Sequence, residues 1–384
     1  MKTAKIVIGA NFGDEGKGLM TDYFANEAKK QNKSCLVVCH NGGSQRGHTV
    51  VSPAGLRHVF HHFGSGNFMG ADTYLSSEFI VNPIIFNREL SELRAKKAVT
   101  KCFVDGNCRI TTPFDMMINQ IIEEYRGNSK HGSCGLGIFE TIVRSRTDKS
   151  YTVEDFSNMS VRDMRIYLNS IATKYLPDRL KQLGIKTIPP AKWEEILSGK
   201  DHIIENYIDD FLFMLDNVQI MNSDIVDDYN YVIFEGAQGL LLDQNNLSYM
   251  PHLTPSNTGI KNPLDIIGTR NADVEACYVS RTYMTRHGAG RFDTECKKSD
   301  INENIVDLTN VPNPYQDTIR YGMLMLNDLR NRIISDLDSA NVKKSIAITH
   351  INEYGVEQNT LKKIFDEFDI YLSDGMTCND VYLL

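Results

Sequence analysis

Ten residues near the amino terminus, Gly9-Ala-Asn-Phe-Gly-Asp-Glu-Gly-Lys-Gly18, follow a short apolar run, Lys5–Gly9, and four of the ten are glycine. An apolar strand that runs into a glycine-dense turn with one lysine brings backbone N–H groups close to phosphate. The unusual element is Asp14, in the middle of that turn. A carboxylate beside bound phosphate is repelled unless a metal or a proton transfer gives it a role. The turn therefore points to chemistry on a phosphate. It is not a P-loop: Asn11 stands where the first glycine of Gly-x4-Gly-Lys-Ser/Thr belongs, and Gly18 follows Lys17. A strand-to-helix turn without a ligand is the plain alternative, and the run Asp-Glu-Gly-Lys argues against it.

Lys5–Gly9 and Ser34–Cys39 read as buried parallel strands, and the spacing of Leu19, Met20, Tyr23, Phe24 and Ala28 predicts a helix over Gly16–Lys30 between them. Glu78–Val81 is a further strand candidate. Ile84–Lys96 and Pro113–Tyr125 read as helices, and the stretch from about 150 to 230 is polar and helical. Tyr231–Gly236, Ala276–Tyr283 and Ser345–Thr349 are apolar strand signals that each lead into a polar turn. This order predicts an α/β fold. A large, mainly parallel central sheet is flanked by helices, with helical and small antiparallel subregions and ligands at its carboxyl edge. No Pro/Gly linker divides the chain, so a single domain over residues 1–384 is expected.

Four more polar clusters fall on these turns. Asn41-Gly-Gly-Ser-Gln-Arg-Gly-His-Thr49 follows the second strand. A histidine in glycine-rich sequence has little apolar packing to explain it, and His48 suits hydrogen bonding to developing negative charge. Phe234-Glu-Gly-Ala-Gln-Gly239 ends another strand, and the Gln238 amide suits the edge of a base. Thr254-Pro-Ser-Asn-Thr-Gly259 and Gly132-Ser-Cys-Gly-Leu-Gly137 are compatible with phosphate, although each read alone is only a loop.

The net charge of −8 argues against a general nucleic-acid-binding protein. No apolar run has membrane-spanning length and no signal peptide is evident, so no membrane association is expected and a cytoplasmic location is. The eight cysteines are scattered, and Cys35-x3-Cys39 lacks a partner zinc pair, which predicts reduced, mostly buried thiols.

Together the motifs resemble the adenylosuccinate synthetase family. Its Gly-Asp-Glu-Gly-Lys-Gly stands here as Gly13–Gly18, its Gly-Gly-x-Asn-Ala-Gly-His-Thr as Gly42–Thr49, and its Phe-Glu-Gly-Ala-Gln-Gly as Phe234–Gly239. Its Thr-Ser-Ser-Asn-Thr is Thr254–Thr258 with Pro255 substituted, and Ser280–Glu295 follows the pattern Tyr-x-Thr-Arg-x-Gly-Ala-Gly-x-Phe-x-Thr-Glu. The order agrees from residue 5 to about 296. The resemblance implies a ligase that joins L-aspartate to C6 of a purine nucleoside monophosphate, IMP, through a 6-phosphoryl intermediate, driven by a nucleoside triphosphate and Mg²⁺. By resemblance Asp14 removes the N1 proton, His48 and Lys17 stabilise charge on the phosphates, and Gln238 holds the purine edge. Mg²⁺ is expected at Asp14 and the carbonyl of Gly47. Nucleotide and phosphate contacts are expected from Gly13, Glu15, Gly16, Gly18, Gln45, Gly47, Thr49, Ser133, Cys134, Thr254, His350, Asn352 and Gly375. A homodimer is implied.

This sequence departs from the family in several places. Gln45 replaces an Asn and Arg46 an Ala, which puts a cation near the phosphates or in solvent. The arginine that crosses the family's dimer interface aligns with Asp148, with Arg144, Arg146 and Lys149 as substitutes. The loop that binds the aspartate carboxylates, Thr-Thr-Gly-Arg-x-Arg-Arg-x-Gly-Trp, reads Asn313–Gly322, and only Arg320 and Gly322 align; Arg320 is the aspartate-binding candidate. Gly375–Val381 looks like the phage branch that makes 2-aminoadenine nucleotides from dGMP, whereas Asp14 stands where that branch has Ser. A dGMP-using ligase, in a host cytoplasm if phage-encoded, is thus the second reading. A catalytically silent purine-nucleotide sensor is a third, from another class.

The family's Thr-Lys-x-Asp, whose Asp accepts from the N1 and N2 donors of guanine, reads Thr349-His-Ile-Asn352. An Asn side chain both donates and accepts, and pairs with adenine. Turnover with ATP or dATP should therefore come within about a hundredfold of turnover with GTP, the scale of one bidentate base contact. Steady-state rates with the three donors check this, and a larger GTP advantage rejects it.

Overall fold

The computed structural model describes residues 2–127, 131–147, 150–185, 191–306 and 318–384. Its centre is a ten-stranded sheet. In chain order the strands are β1 (Thr3–Gly9), β2 (Cys35–Cys39), β3 (Asp72–Leu75), β4 (Cys102–Val104), β5 (Gln219–Ile220), β6 (Tyr231–Gly239), β7 (Asp273–Arg281), β8 (Lys343–Thr349), β9 (Asp369–Ser373) and β10 (Val381–Leu383). Across the sheet they run β10-β9-β8-β7-β1-β6-β2-β3-β4-β5. Every neighbouring pair is parallel except β9 with β10. β1 lies between β6 and β7, with Ile6 opposite Phe234 on one side and Ala276 on the other.

Burial on both faces explains the apolar runs. Ile6, Ile8, Val232 and Phe234 pack beneath Leu329, Ile333 and Leu361 of the helices Leu326–Leu337 and Gln358–Ile364. Val7, Val37, Ile233 and Val279 face the other way, onto Met20, Phe24 and Ala28 of α1 (Lys17–Lys30). Alternate residues of a strand point to opposite faces, so a strand covered on both sides reads as continuously apolar. A third cluster unites α2 (Pro83–Ala95), α3 (Pro113–Arg126) and the helical stretch after residue 150, with Phe86, Leu90, Phe114, Ile118, Tyr207 and Phe211 at its centre. Thr112 and Asp115 cap α3 reciprocally, with Pro113 in its first turn, and these fix where the expected helix begins.

Among the described residues, three small sheets lie outside the central one. His48–Val51 and Arg57–Phe60 form an antiparallel hairpin. Met284–Arg286, Arg320–Gly322 and Glu295–Cys296 form an antiparallel triplet. Ile80–Val81 pairs in parallel with Arg109–Ile110, so the strand expected at Glu78–Val81 is two residues long and stands apart from the main sheet. The expected strand Ala276–Tyr283 begins at Asp273 and ends at Arg281.

Glycine sets one packing distance in the sheet layer. A Cβ on Gly64 would lie 2.4 Å from Cβ of Val37 in β2, and the backbone there cannot yield without opening the sheet. Gly64→Ala should lower stability by about 1–3 kcal/mol. Gly355→Ala, where a Cβ meets nothing within 4 Å, should stay within about 0.5 kcal/mol. Denaturant midpoints of the two variants check the contrast.

Candidate active site

The first glycine turn joins β1 to α1 at the carboxyl edge of the sheet, where open parallel α/β sheets form ligand crevices. Gly16 precedes α1 in the left-handed region (φ 103°), and no side chain caps the helix, so its first N–H groups are left for another acceptor. The turn is held from within and from both flanks. Gly13 N donates to Glu15 Oε1 at 2.7 Å, and the Lys17 ammonium donates back to Gly13 O. Arg281 at the end of β7 donates to Asp14 O at 2.7 Å, and Thr349 at the end of β8 donates to Glu15 O at 2.8 Å.

Missing Cβ atoms bring the three glycine motifs together. A Cβ on Gly13 (φ 112°) would sit 2.7 Å from Cα of Gln238, one on Gly42 would sit 2.6 Å from Cβ of Ala237, and one on Gly18 would sit 3.1 Å from Cβ of His48. The first turn thus touches the third at backbone distance, the second touches the third, and the start of α1 touches His48. Asn41 locks the second contact: its Oδ1 accepts from Ala237 N at 2.7 Å, and its Nδ2 donates to Ala237 O and to Asn257 O. That last bond ties in the Thr254–Thr258 loop, whose Thr254 N donates to Leu242 O. Gln238 itself has φ +65°, a conformation that costs a non-glycine residue about 1 kcal/mol and marks a constrained site. Its side chain makes no hydrogen bond to a described residue.

His48 and Glu235 are the central pair. His48 Nδ1 lies 2.8 Å from Glu235 Oε1, and Arg46 Nη1 lies 3.0 Å from Glu235 Oε2, all three residues being buried. Ser65 N also donates to Oε2. Burial alone would raise the Glu235 carboxyl, but Arg46 and His48 outweigh it and hold it at about 2. Burial brings His48 down to about 4, against the pull of Glu235. An ionised carboxylate only accepts, so Nδ1 carries the hydrogen and Nε2 is the nitrogen left for a ligand. Arg46 is not solvated: it is buried, and beyond Glu235 it donates to His61 O, Phe63 O and Cys39 Sγ. Sequence reading passed over Glu235, although a Glu inside the apolar run Tyr-Val-Ile-Phe is a signal, because a buried charge has to be paired.

Lys17 and Glu15 are both buried, 3.9 Å apart. Burial raises Glu15 and lowers Lys17, and each partly offsets the shift of the other. Asp14 is half-buried, with Oδ2 3.1 Å from Arg281 Nη2. Gln45 Oε1 is buried and has no hydrogen-bond partner among the described residues, and Gly47 is exposed. Thr49 starts the hairpin that follows.

The remaining candidates lie on neighbouring loops. Ser133 Oγ accepts from Asn119 at 2.8 Å, and burial raises the Cys134 thiol. A Cβ on Gly132 would sit 2.8 Å from Cα of Gly288, so this loop abuts the Arg286–Gly290 segment. His350 has φ +60° with Nδ1 2.8 Å from Thr349 Oγ1, and Asn352 is exposed. The turn after β8 meets the turn after β9, where Ile351 N donates to Ser373 O and Ser373 Oγ donates to Gly375 O. Arg320 lies on the small triplet, forked onto Glu295 with Nε at 2.8 Å, and its Nη1 donates to Gly288 O and Gly290 O. Residues 313–317 of its loop, with Asp148 and Lys149, lie outside the described residues. Arg144 is buried in a two-pronged pair with Asp115, so it is not the surface cation expected of an interface, whereas Arg146 is exposed.

A family model described as adenylosuccinate synthetase matches residues 6–370. The chain belongs to the adenylosuccinate synthetase family. An adenylosuccinate synthetase of Streptomyces griseus is 28% identical over 305 residues, which cover 77% of this chain and 66% of that protein. The chain thus spans about two thirds of such relatives. Among solved structures, an adenylosuccinate synthetase from Plasmodium falciparum matches with a TM-score of 0.72 at 14% identity, over 99% of each chain. A succinoaminodeoxyadenylate synthetase of cyanophage S-2L, bound to dGMP and dATP, matches with 0.68 at 16% identity, over 100% of this chain and 95% of that one. At those identities the likeness concerns the fold.

Arg46 and His48 share one carboxylate, which makes the trio testable. Glu235→Leu should cost about 3–5 kcal/mol, because it strands a buried guanidinium. Adding Arg46→Met should return a large part of that loss, since an apolar pair of similar volume replaces an ion pair cheaply. A double-mutant cycle by chemical denaturation reads the coupling, and additive losses would contradict it.

Proposed function

We propose that the protein is a ligase that joins L-aspartate to C6 of a 6-oxopurine nucleotide, IMP in the first instance, through a 6-phosphoryl intermediate, driven by a nucleoside triphosphate. The observation that carries this reading is the backbone contact of the three glycine motifs, which gathers Asp14, Lys17, Gln238 and the His48–Glu235 pair at one edge of the sheet. A carbonyl oxygen is a poor leaving group. Asp14 takes the N1 proton, O6 attacks the γ-phosphate, and the amine of aspartate later displaces phosphate. The Lys17 ammonium and the N–H groups at the start of α1 neutralise charge on the departing β-phosphate. His48 serves the same charge through Nε2. Donation from that nitrogen needs a second proton, which adjacent polyphosphate favours. Gln238 reads the purine edge with one acceptor and two donors.

Gly13, Glu15, Gly16, Gly18, Gln45 and Thr49 would line the phosphates and acceptor, with Ser133, Cys134 and Thr254 on the acceptor side and His350, Asn352 and Gly375 on the donor side. Mg²⁺ fits the donor set. Mg²⁺ is commonly held by one or two carboxylates together with substrate phosphates, and a single half-buried carboxylate with an exposed backbone carbonyl, Asp14 and Gly47, is of that kind. When bound it would supply positive charge to the triphosphate. Arg320 would have to exchange Glu295 for a substrate carboxylate to bind aspartate. A homodimer is proposed from the family alone.

A dGMP acceptor with ATP or dATP as donor is the second reading. It is favoured by Asn352, in the turn proposed to read the donor base, and by the fold match to the cyanophage enzyme. The engaged Arg320 is the feature that a silent sensor would share. Phosphate release measured with each purine monophosphate, with and without aspartate, separates the three. Release with IMP and aspartate supports the first, release with dGMP the second, and none the sensor. Asp14→Ala should cut turnover by about 10²–10⁴-fold, and His48→Asn should lower kcat more than it raises KM. Near-normal turnover in either variant removes that residue's role.

A further inference from the structure

The end of β7 carries a chain of contacts that the phosphate chemistry does not use. Arg281 is 7% exposed. Its Nε donates to the backbone oxygen of Asp14 at 2.7 Å, and its Nη2 lies 3.1 Å from Asp14 Oδ2. Two arms of one guanidinium thus grip both the backbone and the side chain of the same residue. The third arm, Nη1, donates to the Tyr283 hydroxyl at 3.1 Å, and that hydroxyl donates to Glu353 Oε2. Glu353 N donates to His350 O at 3.0 Å, and Thr282 Oγ1 donates to the same oxygen at 3.2 Å. Hydrogen bonds, joined through the covalent frame of Glu353, therefore link the acid in the first glycine turn to the turn after β8. The guanidinium is planar and its donors sit in a fixed fork, so displacement at one arm reorients the others.

We propose that Arg281 is a positioning residue for Asp14, and that Tyr283 and Glu353 tie it to the Thr349–Asn352 turn, so that a nucleoside triphosphate seated on that turn governs how Asp14 meets the acceptor purine. The proposal rests on the ligase reading above and names the coupling between its two nucleotide sites. A purely adhesive Arg281 would affect stability and leave the two sites independent. A relay makes each nucleotide change the affinity of the other, and by linkage the factor is the same in both directions.

The test is calorimetric titration of IMP and of dGMP into the full chain, each with and without saturating β,γ-imido-ATP or β,γ-imido-GTP. In the wild type the analogue should tighten acceptor binding by about fivefold or more. Tyr283→Phe keeps the ring and removes only the bridging hydroxyl. It should bring that factor to within about twofold of unity, while affinity for the analogue alone stays within about threefold. Arg281→Met should lower kcat by about tenfold or more with little change in the acceptor KM, and Arg281→Lys should recover part of it. A coupling of wild-type size in Tyr283→Phe overturns the proposal, and so does a wild type whose sites bind independently. If the wild type binds neither monophosphate, the ligase reading fails instead, which the titration without analogue shows directly.

Discussion

Backbone-to-backbone contact between glycine turns is the constraint on which the site depends. Where Gly13 meets Gln238 and Gly42 meets Ala237, the room for a side chain is less than the width of a methyl group. Three parallel strands, β1, β2 and β6, lie side by side, so the turns at their carboxyl ends emerge next to each other. Adjacency alone would leave them apart by a side-chain layer. Removing that layer brings the turns that carry Lys17, His48 and Gln238 into backbone contact. The same glycine turn leaves the first N–H groups of α1 without a side-chain cap.

Charge burial is the second organising force. Glu235, at the centre of the sheet edge, carries a full charge with no exposure, and it is held by Arg46 on one oxygen and His48 on the other. Arg46 in turn fastens the His61–Phe63 backbone, which Glu89 grips from the other side by accepting from His61, His62 and Phe63 N–H groups. A pair of buried carboxylates with their donors thus stiffens the segment behind His48. The cost of desolvating these charges is repaid only when every lone pair and proton has a partner. That is why the cation at Arg46, which breaks the family pattern, belongs to the scaffold.

The central sheet was legible because β1, β2, β6, β7 and β8 are covered on both faces and so read as unbroken apolar runs. Strands such as Cys102–Val104 and Gln219–Ile220 were not, being two or three residues long and carrying no period of their own. The candidate site was legible in its residue types. Asp14, Lys17, His48 and Gln238 announced themselves as polar groups in glycine-rich turns. Glu235 and Arg281 did not, since their partners, at positions 46, 48, 14 and 283, come together only through the fold. Arg144 shows the reverse: a plausible surface cation by position, it turned out to be enclosed with Asp115 and Tyr167.

By itself the sequence determined the parallel α/β framework and the glycine turns at its carboxyl edge, because strand burial and glycine turns are local properties that hydrophobic pattern and residue type encode. Which side chain pairs with which, and so which arginines are structural, which carboxylate steadies His48 and what engages Asp14 and Arg320, was decided only by tertiary structure. Ion pairing depends on distance and desolvation between residues up to 270 positions apart, and no local pattern records either.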